Sequence, residues 1–119
     1  TQRALAQHEL DAYRAPWANP ADRRILCKFP QKLCIGGEPA AIRDMQLAYM
    51  NWLETTPLPK LIVHAEPGVL IPPETAAWYA QKLLNTGTVN VGPGLHYIQE
   101  DRPREIGSAI AQWMDRYNP

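Results

Sequence analysis

Two short β-rich runs, Lys60-Leu-Ile-Val-His-Ala65 and Thr88-Val-Asn-Val91, are separated by a segment that opens Pro72-Pro73-Glu74 and reads as a helix to about Leu84. Proline at a first helical position followed by an acidic residue is a helix start, because that N–H has no intrahelical partner and a negative charge suits the N-terminal dipole. A strand, a crossover helix and a second strand make parallel neighbours, since antiparallel neighbours need only a hairpin. Parallel strands are stable when helices bury both faces of their sheet. A sheet that stands alone generally needs three or more strands with a packed face. Two strands fall short of that, so the chain is expected to be a portion of a larger sheet whose other strands it does not contain.

The remaining segments fit around that pair. A short helix is expected from about Ala6 to Tyr13, followed by a connector carrying Pro16, Pro20, Pro30 and Pro39. After Pro39, Ile42, Met45, Tyr49, Trp52 and Leu53 recur at three- and four-residue steps, which places them on one helical stripe ended by Thr55, Thr56, Pro57 and Pro59. Gly92-Pro93-Gly94 is expected to break the second strand. A last helix begins near Pro103, with Ile106, Ile110, Trp113, Met114 and Tyr117 on its core face. The order α, connector, α, β, α, β, α is that of an α/β fold, with no internal repeat.

Charge narrows the partners. Twelve Lys and Arg balance twelve Asp and Glu, and no block of one sign occurs, so neither nucleic acid nor an anionic membrane surface is an expected partner. Apolar runs such as Leu61 to Val63 and Val69 to Ile71 are far shorter than the roughly 20 residues of a membrane helix. The beginning, Thr-Gln-Arg-Ala-Leu-Ala-Gln-His-Glu, has no basic-then-apolar export pattern and reads as a cut rather than a natural start. Cys27 and Cys34 alone do not make the framework of a small secreted domain, so free thiols in a cytoplasmic protein are expected. His8, His64 and His96 are scattered, with no HExxH or CxxC, and no metal or cofactor is expected.

His96 lies just past the carboxyl end of the second strand, where open parallel sheets place their ligands. Gly92, Pro93 and Gly94 permit a sharp exit that turns the following imidazole toward a cleft. Residue type and position leave two uses open: a catalytic base, or a histidine that caps a loop or hydrogen-bonds a helix end.

The segment Gly92-Pro-Gly-Leu-His-Tyr-Ile-Gln-Glu-Asp101, continued by Pro103, Ile106 and Gly107, closely resembles the histidine loop of haloalkane dehalogenases, which belong to the α/β-hydrolase superfamily. Pro59-Lys-Leu and Glu66-Pro-Gly-Val-Leu-Ile-Pro72 look like the family's penultimate core strand and the loop after it. Tyr13-Arg14, Phe29-Pro30, Gly37-Glu38-Pro39 and Tyr49-Met-Asn-Trp-Leu53 resemble the end of its helical cap domain and the return to the core. The resemblance implies the C-terminal portion of an α/β-hydrolase fold, with residues 1–39 ending the cap and 40–119 belonging to the core.

It further implies hydrolysis of carbon-halogen bonds without cofactor or metal. An aspartate on a nucleophile elbow displaces halide and forms an alkyl-enzyme ester, and a histidine acting as general base activates the water that cleaves it. His96 matches that histidine. By position in matching motifs, Phe29, Pro30 and Leu33 look like the cap's contribution to an apolar pocket, Val69 and Leu70 like that of the strand-end loop, and Tyr97 like the tunnel mouth. Haloalkane and halide are the implied substrate and product.

No Gly-x-Asp/Ser/Cys-x-Gly elbow occurs, so the nucleophile is expected on an N-terminal part of the same enzyme and the chain alone is expected to be inactive. Some members place the acid after the penultimate strand, near Glu66, but Glu-Pro-Gly occurs in members using an upstream acid, and an exposed loop carboxylate is the default for Glu66. Two further readings stand beside this one. One is a non-catalytic complementation module that docks on an N-terminal partner; the other is a different α/β-hydrolase-fold enzyme, such as a luciferase-like monooxygenase.

Overall fold

The computed structural model describes residues 1–117 and divides into two compact units, Leu5–Trp52 and a second formed by Thr1–Ala4 with the chain from Leu53 onward. The first is helical. Helix α1, Gln7–Arg14, starts where the Glu9 carboxylate accepts the Ala6 N–H at 2.7 Å, and α2 spans Arg24–Lys28. The connector is more helical than its prolines foretold, because Pro16, Pro20 and Pro30 each stand in the opening turn of a short helical piece. There the missing N–H costs nothing and the fixed φ is already helical. Helix α3, Ala40–Thr55, carries most of its length in this unit, with Met45, Leu47, Tyr49 and Trp52 exposed. Cys27 and Cys34 are both free thiols.

The second unit is built on strands β1, Lys60–Pro67, and β2, Thr86–Gly94, which pair in parallel. Helix α4, Pro73–Lys82, crosses between them and packs on both, as does α6, Pro103–Asp115. A single turn of helix, α5, Ile98–Asp101, links β2 to α6. The register runs from Lys60 opposite Thr86 to His64 opposite Asn90, shifts, and resumes with Glu66 opposite Pro93 and Pro67 opposite Gly94.

That shift corrects the expected end of β2. Gly92-Pro93-Gly94 does not break the strand; a bulge absorbs the extra residue and the ladder continues to Gly94. Among the described residues the buried apolar side chains are Ala65, Ala76, Leu83, Val91 and Ala109, and no large side chain is fully buried. A two-stranded sheet packed by two helices thus gathers a core of mostly small residues, as expected of part of a larger sheet. Among the described residues no helix is long and apolar enough to cross a membrane.

Candidate active site

Both strands deliver their following loops to the same end of the sheet. After β1 the chain turns at Gly68, whose φ is +68°. A Cβ there would stand 2.8 Å from the Ala65 carbonyl oxygen and 3.0 Å from that of Ile71, so only glycine fits. The Gly68 N–H donates to the Gly94 carbonyl at 3.1 Å, which ties the two strand-end loops together.

At the end of β2, Asn90 Oδ1 accepts the Gly92 N–H at 2.8 Å, and Gly92 takes φ +95°. The Arg102 guanidinium Nε donates back to the Pro93 carbonyl at 3.0 Å. Between these fixed points Leu95, His96 and Tyr97 leave the sheet.

His96, Val69, Leu70 and Ile71 line a cleft of about 170 Å³ together with His64 and Ile98. The structure therefore brings together three of the residues singled out in the sequence, His96, Val69 and Leu70. Tyr97 packs edge-on against His96, with ring centroids 4.6 Å apart at 86°, but is not part of the cleft lining. Phe29, Pro30 and Leu33 belong to the helical unit, at the short turn Pro30–Lys32, with Phe29 and Leu33 exposed.

The cleft wall is apolar apart from its two imidazoles and carries no carboxylate. Glu66 is exposed on β1 and faces Asn90 Nδ2 at 3.5 Å rather than the cleft. Its place suits an ordinary surface carboxylate.

A larger groove of about 640 Å³ lies on the helical unit beside Leu10, Tyr13 and Trp17. Its charged groups have local partners: Arg14 pairs with Asp11, and Arg23 donates to the Trp17 and Ala18 carbonyls. It presents no nucleophile beside a base.

Three features escaped the sequence reading. His64 is buried, 8% exposed, and its Nδ1 has no hydrogen-bond partner among the described residues; its signal was a single polar residue inside an apolar strand. Arg102 binds the Pro93 carbonyl, signalled only by a basic residue between the acidic α5 and Pro103. Asp101 accepts the backbone N–H groups of Gln2 and Arg3 at 2.9 to 3.1 Å. Burial pushes the Asp101 carboxyl up, but those backbone amides, with the positive charge of Arg3, outweigh it and hold the group below the usual aspartate value.

An imidazole at the carboxyl end of parallel strands, facing a small apolar cleft, is suited to take a proton from water beside an uncharged substrate. No family model matches the chain. A curated haloalkane dehalogenase of Mesorhizobium japonicum is 38% identical over 112 residues, 94% of this chain and 36% of the relative. That of Bradyrhizobium diazoefficiens is equally similar over the same shares. The crystal structure of a haloalkane dehalogenase from Bradyrhizobium elkani superposes with a TM-score of 0.90 at 37% identity, covering 95% of this chain and 39% of that one. By sequence and by fold, this chain matches the C-terminal part of haloalkane dehalogenases. It spans little more than a third of the length of the haloalkane dehalogenases it matches.

Proposed function

We propose that this chain supplies the general-base half of a haloalkane dehalogenase active site. The observation that carries the reading is His96, on the loop after β2, lining an apolar cleft with Val69 and Leu70. An aspartate on the N-terminal part of the same enzyme attacks the halogen-bearing carbon. The carbon-halogen bond breaks, halide leaves with the bonding pair, and an alkyl ester of the aspartate forms. His96 then takes a proton from water as its oxygen adds to the ester carbonyl. Collapse of that adduct breaks the alkyl oxygen's bond to the carbonyl carbon, the imidazolium returning the proton to the departing oxygen so that alcohol and the aspartate carboxyl group are released.

Haloalkane substrates suit the cleft because an uncharged alkyl chain loses little on leaving water, whereas a charged one would be left unpaired. By the resemblance of their motifs, Phe29, Pro30 and Leu33 are the cap's contribution to an apolar substrate pocket and Tyr97 that of the tunnel mouth. In this reading residues 1–39 end the cap, residues 40–119 belong to the core, and the enzyme works in the cytoplasm. Without the nucleophile the chain alone is inactive.

A single-turnover reaction in ¹⁸O-water tests the scheme, using the complete enzyme, meaning this chain continuous with its nucleophile-bearing N-terminal part. Water attacks the ester carbonyl, so the first alcohol is unlabelled and the aspartate carries the label. Label in the first alcohol would mean direct displacement by water and would overturn the ester route.

A further inference from the structure

We propose that Arg102 is a positioning residue for the catalytic loop, holding the strand exit so that the His96 imidazole meets the ester-bound substrate. The inference rests on the reading of His96 as general base. Arg102 stands at the junction of α5 and α6, with φ −134° and ψ 44°. Its backbone is fixed from both sides, since its N–H donates to the Ile98 carbonyl at 2.7 Å and its own carbonyl accepts the Ile106 N–H at 3.0 Å. From that anchor the side chain reaches back nine residues to the Pro93 carbonyl.

The guanidinium also lies along Gly92, its Cζ and Nε each 3.8 Å from where a Cβ on that residue would stand. Glu105 Oε1 faces Nη1 at 3.5 Å and steadies the planar group. The Pro93–Arg102 contact thus closes a loop of the chain with His96 inside it. A charged, planar donor is the group suited to such a clasp, because its N–H directions are rigid and the bond to a carbonyl is charge-assisted. Loosening it leaves the imidazole in place but lets it wander, and small misplacements of a reacting group reduce rates steeply.

The base acts only in ester hydrolysis, so the proposal separates the two chemical steps. In the complete enzyme, Arg102→Met is expected to leave the first stoichiometric halide release within about twofold of the unsubstituted rate and to slow ester hydrolysis by about tenfold, with alkyl-enzyme visible by intact mass. Arg102→Lys, which keeps a donor but not the fork, is expected to recover part of the hydrolysis rate. A merely structural arginine would lower both steps together as folded enzyme is lost.

Unchanged hydrolysis in Arg102→Met, or a parallel fall in both steps, overturns the proposal. If Arg102→Met does not fold, Arg102→Gln, too short for the same clasp, decides by the same two rates. His96→Phe is run beside them. If His96→Phe accumulates ester and the Arg102 variants do not, the positioning role alone fails; if His96→Phe turns over normally, the base assignment fails and the Arg102 proposal with it.

Discussion

The ammonium of Lys60 lies 2.8 Å from the carbonyl oxygen of Leu84 and also donates to the carbonyls of Thr56 and Leu58 at 3.0 and 2.9 Å. At the first position of β1 one side chain thus gathers the end of the preceding segment and the approach to β2. The Lys60 backbone N–H adds a bond to the Asn85 carbonyl at 2.8 Å, and Asn85 Nδ2 returns one to Pro57 at 2.7 Å.

Lys60→Met keeps the aliphatic stem and removes the three donors. A hydrogen bond to a charged group contributes about 1.5–3 kcal/mol, and because the ammonium is partly solvated, a total loss in that range is expected for the complete enzyme. Urea unfolding read by tryptophan fluorescence checks it; an unchanged midpoint would show the clasp to be incidental.

Gly68→Ala is expected to destabilise by about 1–3 kcal/mol, because a side chain at positive φ is strained and its Cβ would meet backbone rather than movable side-chain ends. The same change pushes against the loop bearing Val69 and Leu70, so KM for a haloalkane should rise as well. A melting temperature equal to that of the unsubstituted enzyme would contradict the tight turn.

The Asp101 carboxyl, held below its ordinary value by the Gln2 and Arg3 amides, contributes stability that is fully present above the ordinary aspartate range. That contribution fades as pH falls through the lowered folded-state value, because the unfolded chain takes up the proton first. Melting temperatures of the unsubstituted enzyme and Asp101→Asn should therefore differ most near neutral pH and converge in acid. A gap that widens in acid would reverse the sign of the linkage.

The isolated chain is expected to lack a cooperatively melting native state. Its sheet has two strands, its buried core consists mostly of small side chains, and Trp52, Trp78, Leu47 and Tyr49 are exposed. Calorimetry of residues 1–119 alone should give no sharp peak, and a dye that reports exposed apolar surface should bind. A narrow, reversible transition would show that the two-stranded unit is self-sufficient.

Much of this architecture is written locally. The apolar run from Lys60, the Pro72-Pro73-Glu74 helix start and the helical steps from Ile106 announce β1, α4 and α6, because period and helix-start chemistry are properties of adjacent residues. Helix α6 nevertheless ends at Asp115, short of Tyr117, and leaves Ile110 and Met114 exposed rather than on a core face. The place of His96 just after a strand was legible, and the structure sets it in a cleft with Val69 and Leu70; its role was not legible from that place, which leaves a base and a loop cap equally open. The persistence of β2 to Gly94 was not legible, since a bulge is a relation between two strands and no single run encodes it. Nor was the bond from Gln2 to Asp101, which joins residues 99 positions apart. The prolines of the connector misled for a related reason: the same residue that breaks a helix interior opens a helix at its first turn.

The central claim, that His96 is the base of the second step, is tested most directly by trapping its substrate. The measurement mixes the complete His96→Phe enzyme with a long-chain chloroalkane and follows halide release and intact mass together, after a melting curve has shown the variant folded. The first step needs the aspartate but not the base, so one equivalent of halide and a matching alkyl mass increase that persists are predicted. Sustained turnover at the unsubstituted rate would make His96 a structural loop residue and contradict the account.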